Sequence, residues 1–103
     1  MAVKQIGSYQ VQYAANTFVP RIWLRDTANV SIGQLIFMPD GKTLPADNAT
    51  NLYYHLSDFA NVIDLLRNEK PMYMYYNGSG GGFENGIKTM SEKVGEGETT
   101  DPG

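Results

Sequence analysis

The chain has 103 residues, of which 42% are hydrophobic, 18% charged and 12% aromatic, with seven tyrosines, one tryptophan, one histidine and no cysteine. That length accommodates one domain around one hydrophobic core, and the lack of cysteine excludes disulfides, thiolate metal centres and thiol nucleophiles. The formal charge of −3 sits in one place: residues 92–103 hold Glu92, Glu96, Glu98 and Asp101 against Lys93, so residues 1–91 are neutral, with seven basic and seven acidic groups.

The N-terminus, Ala2-Val3-Lys4-Gln5-Ile6-Gly7-Ser8, has no apolar run of signal-peptide length, and no window is long and apolar enough to span a bilayer. The expectation is a cytoplasmic protein with no membrane partner. From Gln5 to Tyr13 the residues alternate, with Tyr9, Val11 and Tyr13 on one face and Ser8, Gln10 and Gln12 on the other. That period of two predicts a half-buried strand. Pro20 then opens a second strand, Arg21–Arg25, with Ile22 and Leu24 on one face and Arg21, Trp23 and Arg25 on the other. Asp26-Thr27-Ala28-Asn29 supplies turn residues, and Val30–Met38 reads as a more apolar strand stopped by Pro39-Asp40-Gly41. Short connections between these strands predict an antiparallel meander.

Lys42–Asn51 is a polar loop, longer than most hairpin connections. Leu52–Leu56 is read as a fourth strand in preference to the first turn of a helix, because Ser57-Asp58 then serves as an N-cap. The helix spans about 58–69. Phe59, Val62, Ile63 and Leu66 fall at i, i+3, i+4 and i+7, a stripe that Leu65 widens, and Pro71 stops it. Met72–Tyr76 reads as a strand with Tyr73 and Tyr75 on one face. After the glycine-rich Asn77–Gly82, a returning strand is expected over Asn85–Ser91. Beyond Val94 the acidic residues 95–103 lack apolar side chains to pack, so a disordered tail is expected after a single domain over residues 1–94. The predicted fold is α+β: an antiparallel sheet of five or six strands with one helix packed on one face.

No constellation of residues carries catalysis. His55 is the only histidine, and Asp58 three residues on does not make a triad with it. Asp58 and Asp64 stand six apart, on different helix faces. The glycine run lacks the Lys-Ser/Thr of a phosphate loop, and Glu84 would repel a phosphate. The sequence therefore assigns no catalytic, metal or cofactor-binding residue, and a non-enzymatic protein is expected.

The aromatic residues are the better clue. Trp23 flanked by Arg21 and Arg25, together with Tyr73 and Tyr75 on another strand, form a candidate interaction or stacking surface. Gly78, Gly80, Gly81 and Gly82 form a candidate mobile loop able to close on a small ligand. A sheet with a single helix leaves one face uncovered, which favours an interaction module that forms a homodimer through its open sheet face or edge. The alternative is single-stranded nucleic-acid binding on the Arg/Trp/Tyr face. A protein or small-ligand partner recognised beside the Gly-rich loop is the third reading.

Overall fold

The computed structural model describes residues 2–91 and 94. In chain order the strands are β1 (Ala2–Ile6), β2 (Ser8–Gln12), β3 (Arg21–Arg25), β4 (Ser31–Met38), β5 (Asn51–His55), β6 (Met72–Tyr76) and β7 (Gly86–Lys88), with helix α1 (Phe59–Asn68) between β5 and β6. The fold is α+β with one helix, as expected, but the strands divide into two sheets. One has the order β2-β3-β4-β5 and the other β1-β6-β7.

The single sheet expected from the sequence fails at Gly7. The alternation expected from Gln5 to Tyr13 holds from Ser8 onward, but Ile6 and Tyr9, three residues apart, both pack against the core, so its phase shifts at Gly7, where the chain changes partner. Ile6 faces Met72 in the three-stranded sheet, while Ser8 faces Arg25 in the four-stranded one. The Gly7 N–H donates to the Arg25 carbonyl at 2.7 Å beside the Ser8–Arg25 pair, and the β3–β4 register shifts between Leu24 and Arg25 at the same corner. A β-carbon on Gly7 would lie 2.5 Å from the Asp26 carbonyl oxygen and 2.7 Å from the Thr27 α-carbon. Only glycine lets the backbones pass this closely.

The expected meander holds for β2, β3 and β4, which pair antiparallel. Strand β5 departs from it by pairing parallel to β4, with Leu35 facing Leu52 and Phe37 facing Tyr54. A parallel neighbour needs a crossover of about a dozen residues, and the long polar loop ahead of β5 provides it. The expected returning strand Asn85–Ser91 shortens to Gly86–Lys88. Asn85 is held by side-chain bonds to Asp47 and to the Gly78 carbonyl instead of joining the ladder. Residues 95–103, expected to be a disordered tail, lie outside the described residues.

Strand β5 gives way to a tight turn over Leu56–Asp58 before α1 begins. Asp58 occupies the N-cap position without a side-chain cap bond. Asp40, from the turn after β4, accepts the Ser57 N–H at 2.9 Å instead. At the other end the Glu69 N–H reaches the Leu65 carbonyl at 3.0 Å, and a cis Lys70–Pro71 peptide leads into β6.

One core joins the layers. Ile22, Leu24, Leu35, Phe37 and Leu52 from the four-stranded sheet meet Val62 and Leu66 of α1 and Met74 of β6. The first five are essentially inaccessible to solvent, and burying each contributes roughly 1.5–3 kcal/mol. Phe59 and Ile63 flank this core as the helical stripe predicts, whereas Leu65 points outward and does not widen it. Phe37 sits at the aromatic centre, stacked on Tyr54 at 5.5 Å and edge-on to Phe59 at 4.9 Å. The helix and the three-stranded sheet thus cover the same face of the four-stranded sheet, and among the described residues no element packs on its other face.

Candidate interaction surface

Strand alternation determines what the open face presents. Every residue between two core positions points away from the helix, and the strand registers align these residues in rows. One row reads Gln10, Trp23, Gln34, Asn51; the next reads Gln12, Arg21, Ile36, Tyr53; a third pairs Ser8, Arg25 and Ser31. No carboxylate stands at any of these positions.

Trp23 is half-buried in this face. Its indole N–H donates to Gln12 Oε1 at 2.9 Å, and the Arg21 guanidinium lies 5.9 Å from its ring centre. Arg25 is steadied by a 3.2 Å bond from Nη1 to the Asn29 carbonyl. Gln34 donates to Asn51 Oδ1 at 3.0 Å, while its own Oε1 is buried without a partner. Gln10, Gln12, Trp23, Arg25 and Ser31 surround a shallow depression of about 270 Å³.

Tyr73 and Tyr75, grouped with Trp23 on sequence grounds, belong to the other sheet. They face Gln5 and Val3 of β1 on one side and Lys88 and Gly86 of β7 on the other. Tyr75 donates to Glu84 at 2.7 Å, and Lys88 Nζ lies 5.3 Å from its ring centre. The missing side chain at Gly86 makes room for two phenols: a β-carbon there would lie 3.2 Å from the Tyr54 oxygen and 3.4 Å from the Tyr75 oxygen. Burial pushes the Tyr54 phenol up to about 12, reinforced by Tyr75 and Asp47 and opposed by the Ile87 backbone N–H. Desolvation and the hydrogen bond to Glu84 raise Tyr75 to about 12. Both phenols therefore stay protonated well above neutral pH; Tyr75 donates to Glu84, while the Tyr54 oxygen accepts from the Ile87 backbone.

The glycine-rich loop is anchored at its base. Asn85 Oδ1 accepts the Asn77 N–H at 2.6 Å, and its amide donates to the Gly78 carbonyl at 2.8 Å and to Asp47 Oδ2 at 3.1 Å. Ser79 donates to the Asp47 carbonyl. Gly80, Gly81 and Gly82 have open space where a side chain would go. The hydrogen bonds that hold the loop thus gather at its base. His55 Nε2 bonds the Lys42 carbonyl at 2.9 Å, a link that pins the long loop to β5. Among the described residues no group of three His, Asp or Glu side chains gathers as metal ligands, and no helix is long and apolar enough to cross a membrane.

Sequence reasoning missed the strand edges, which depend on pairing instead of composition. β5 closes its own free side: Asp47 Oδ1 accepts the Tyr53 N–H at 2.8 Å and Asn48 Oδ1 the Asn51 N–H at 2.9 Å. β1 carries an exposed lysine, Lys4, at its centre, and β7 has three residues, one of them Lys88. Among the described residues, edge strand β2, Ser8-Tyr9-Gln10-Val11-Gln12, has none of these devices and is exposed at every position except the half-buried Tyr9. Beside it lies an apolar margin in which Val11 is 41%, Tyr13 61% and Phe18 64% exposed. A wider groove of about 710 Å³ opens where β1 passes into β2, lined by Ile6, Tyr9, Leu66 and Met72 together with Glu69 and Lys70. Comparison with known protein families, curated proteins and solved structures finds no match.

Proposed function

We propose that this chain is a non-enzymatic interaction module that pairs with a second copy of itself along the free edge of β2. The observation that carries this reading is the contrast between β2 and the other sheet edges. Proteins protect exposed edges with lysine, proline, short length or a covering segment, because an open ladder recruits another strand. Here β1, β5 and β7 are protected in those ways and β2 is not.

The sequence of β2 suits self-pairing. Antiparallel pairing about a twofold axis at Gln10 sets Tyr9 opposite the partner's Val11 and Ser8 opposite the partner's Gln12. Apolar residues then meet apolar ones on one face, and polar meet polar on the other. The pairing would join two four-stranded sheets into one of eight strands and cover Val11 and Tyr13. The test is sedimentation of the wild type beside Val11→Lys, which places a lysine on the edge. The wild type is expected to sediment at twice the 11.4 kDa chain mass, and the variant to need at least about tenfold more protein to dimerise, a change of about 1.4 kcal/mol. A wild type that stays monomeric at micromolar concentration overturns the proposal.

A further inference from the structure

We propose that the open face of the four-stranded sheet binds single-stranded nucleic acid, with Trp23 as the stacking platform and Arg21 and Arg25 as the phosphate contacts. This inference does not rest on the dimer, because one copy carries the whole face.

Charge complementarity selects the partner. The described chain is neutral overall, yet this face holds two arginines and no carboxylate. Neither arginine is used up by the fold: Arg25 donates one N–H to a backbone carbonyl, and Arg21 rests over the indole. Each therefore keeps donors for a phosphate, which a guanidinium binds through paired N–H groups. An aromatic ring beside arginines on a sheet is what a single strand requires, since every base offers a π-face and every linkage a charge.

The depression between Gln10, Gln12, Trp23, Arg25 and Ser31 adds the remaining chemistry. Amide and hydroxyl groups can both donate to and accept from a base edge, so this site tolerates different bases and does not read one sequence. A duplex fits poorly, because its bases are stacked on each other and unavailable to Trp23. An acidic protein segment would satisfy the arginines but would leave the indole and the amides without a role.

Trp23 is the only tryptophan, so its fluorescence reports on this face directly. Oligo-dT and oligo-U titrated at low salt are expected to quench it, with equal quenching marking indifference to the sugar and a stronger response to oligo-U marking a 2′-hydroxyl contact. With two phosphates bound, affinity should fall about 25-fold for each tenfold rise in salt. Arg21→Gln and Arg25→Gln, each checked for an unchanged circular dichroism spectrum, should halve that salt slope singly and abolish it together, and Arg25→Lys should restore part of it. Val11→Lys separates the two proposals, because it should lose the dimer and keep the quenching. No quenching by either oligonucleotide at low salt, or quenching that poly-glutamate matches, overturns the inference.

Discussion

Replacing Gly7 by alanine tests the corner on which the two-sheet architecture depends. The added β-carbon would meet the Asp26 carbonyl oxygen at 2.5 Å, the Asp26 carbonyl carbon at 2.7 Å and the Thr27 α-carbon at 2.7 Å. All three are backbone atoms, so no side chain can rotate out of the way. Forcing extra volume into such a site costs about 1–3 kcal/mol. Moving the strands apart also stretches the Gly7–Arg25 hydrogen bond, worth about 0.5–1.5 kcal/mol. Against this, alanine restricts the unfolded chain and returns about 0.4–1 kcal/mol. The clash wins, leaving a net loss of about 2 kcal/mol and a melting temperature lower by roughly 8–16 °C.

Gly81→Ala is the matched control. Gly81 has no positive φ and nothing within 4 Å of an added β-carbon, so only the unfolded-state gain of about 0.4–1 kcal/mol remains. Urea and thermal unfolding, followed by Trp23 fluorescence and circular dichroism, measure both variants. If Gly7→Ala proves as stable as Gly81→Ala, the close passage of Gly7 over Asp26 and Thr27 is wrong, and with it the switch of the chain between sheets.

Two further outcomes follow from the Tyr54 and Asn85 clusters. The part of the stability linked to Tyr54 should be fully present below pH 10 and be lost as pH rises toward 12. The folded form keeps a Tyr54 proton that the unfolded chain gives up near 10.0, so the unfolded state binds fewer protons in that window. The Tyr54 contribution is on the order of 2 kcal/mol; Tyr54→Phe should remove that part of the decline in urea midpoints, and an identical decline in the variant would refute it. Asn85→Ala removes bonds to Asn77, Gly78 and Asp47. It should cost about 1–2 kcal/mol and speed both amide exchange at Asn77 and proteolysis within residues 78–82, with unchanged rates contradicting the anchoring role of Asn85.

What the sequence reveals here is what local periodicity encodes. Phe59, Val62, Ile63 and Leu66 announce the helix because a 3.6-residue repeat has no other use. The alternation of Arg21–Arg25 likewise separates buried Ile22 and Leu24 from the Trp23 face without knowledge of any partner. Pairing is different. Strand β5 looks the same in sequence whether it lies parallel or antiparallel to β4, and nothing in the run from Gln5 to Tyr13 says that Ile6 will face Met72 while Ser8 faces Arg25, crossing from one sheet to the other. The separation of Tyr73 and Tyr75 from Trp23 follows from that same crossing. A signal was present at Gly7, since an isolated glycine within a strand pattern often marks a bulge or a close backbone approach. The exposed edge of β2 became legible only once Asp47 and Asn48 were found closing the edge of β5.

The claim that β2 is a self-pairing edge can be tested most directly by exploiting the absence of cysteine. A single cysteine introduced by Gln10→Cys lies on the proposed twofold axis and faces its own copy, where facing α-carbons in an antiparallel pair are about 4.5–5.5 Å apart, within disulfide reach. Under mild oxidation Gln10→Cys is expected to form a covalent dimer far faster than Gln5→Cys, whose cysteine stands on β1 away from the axis. If both oxidise at the same slow rate, the edge of β2 is not where two copies meet.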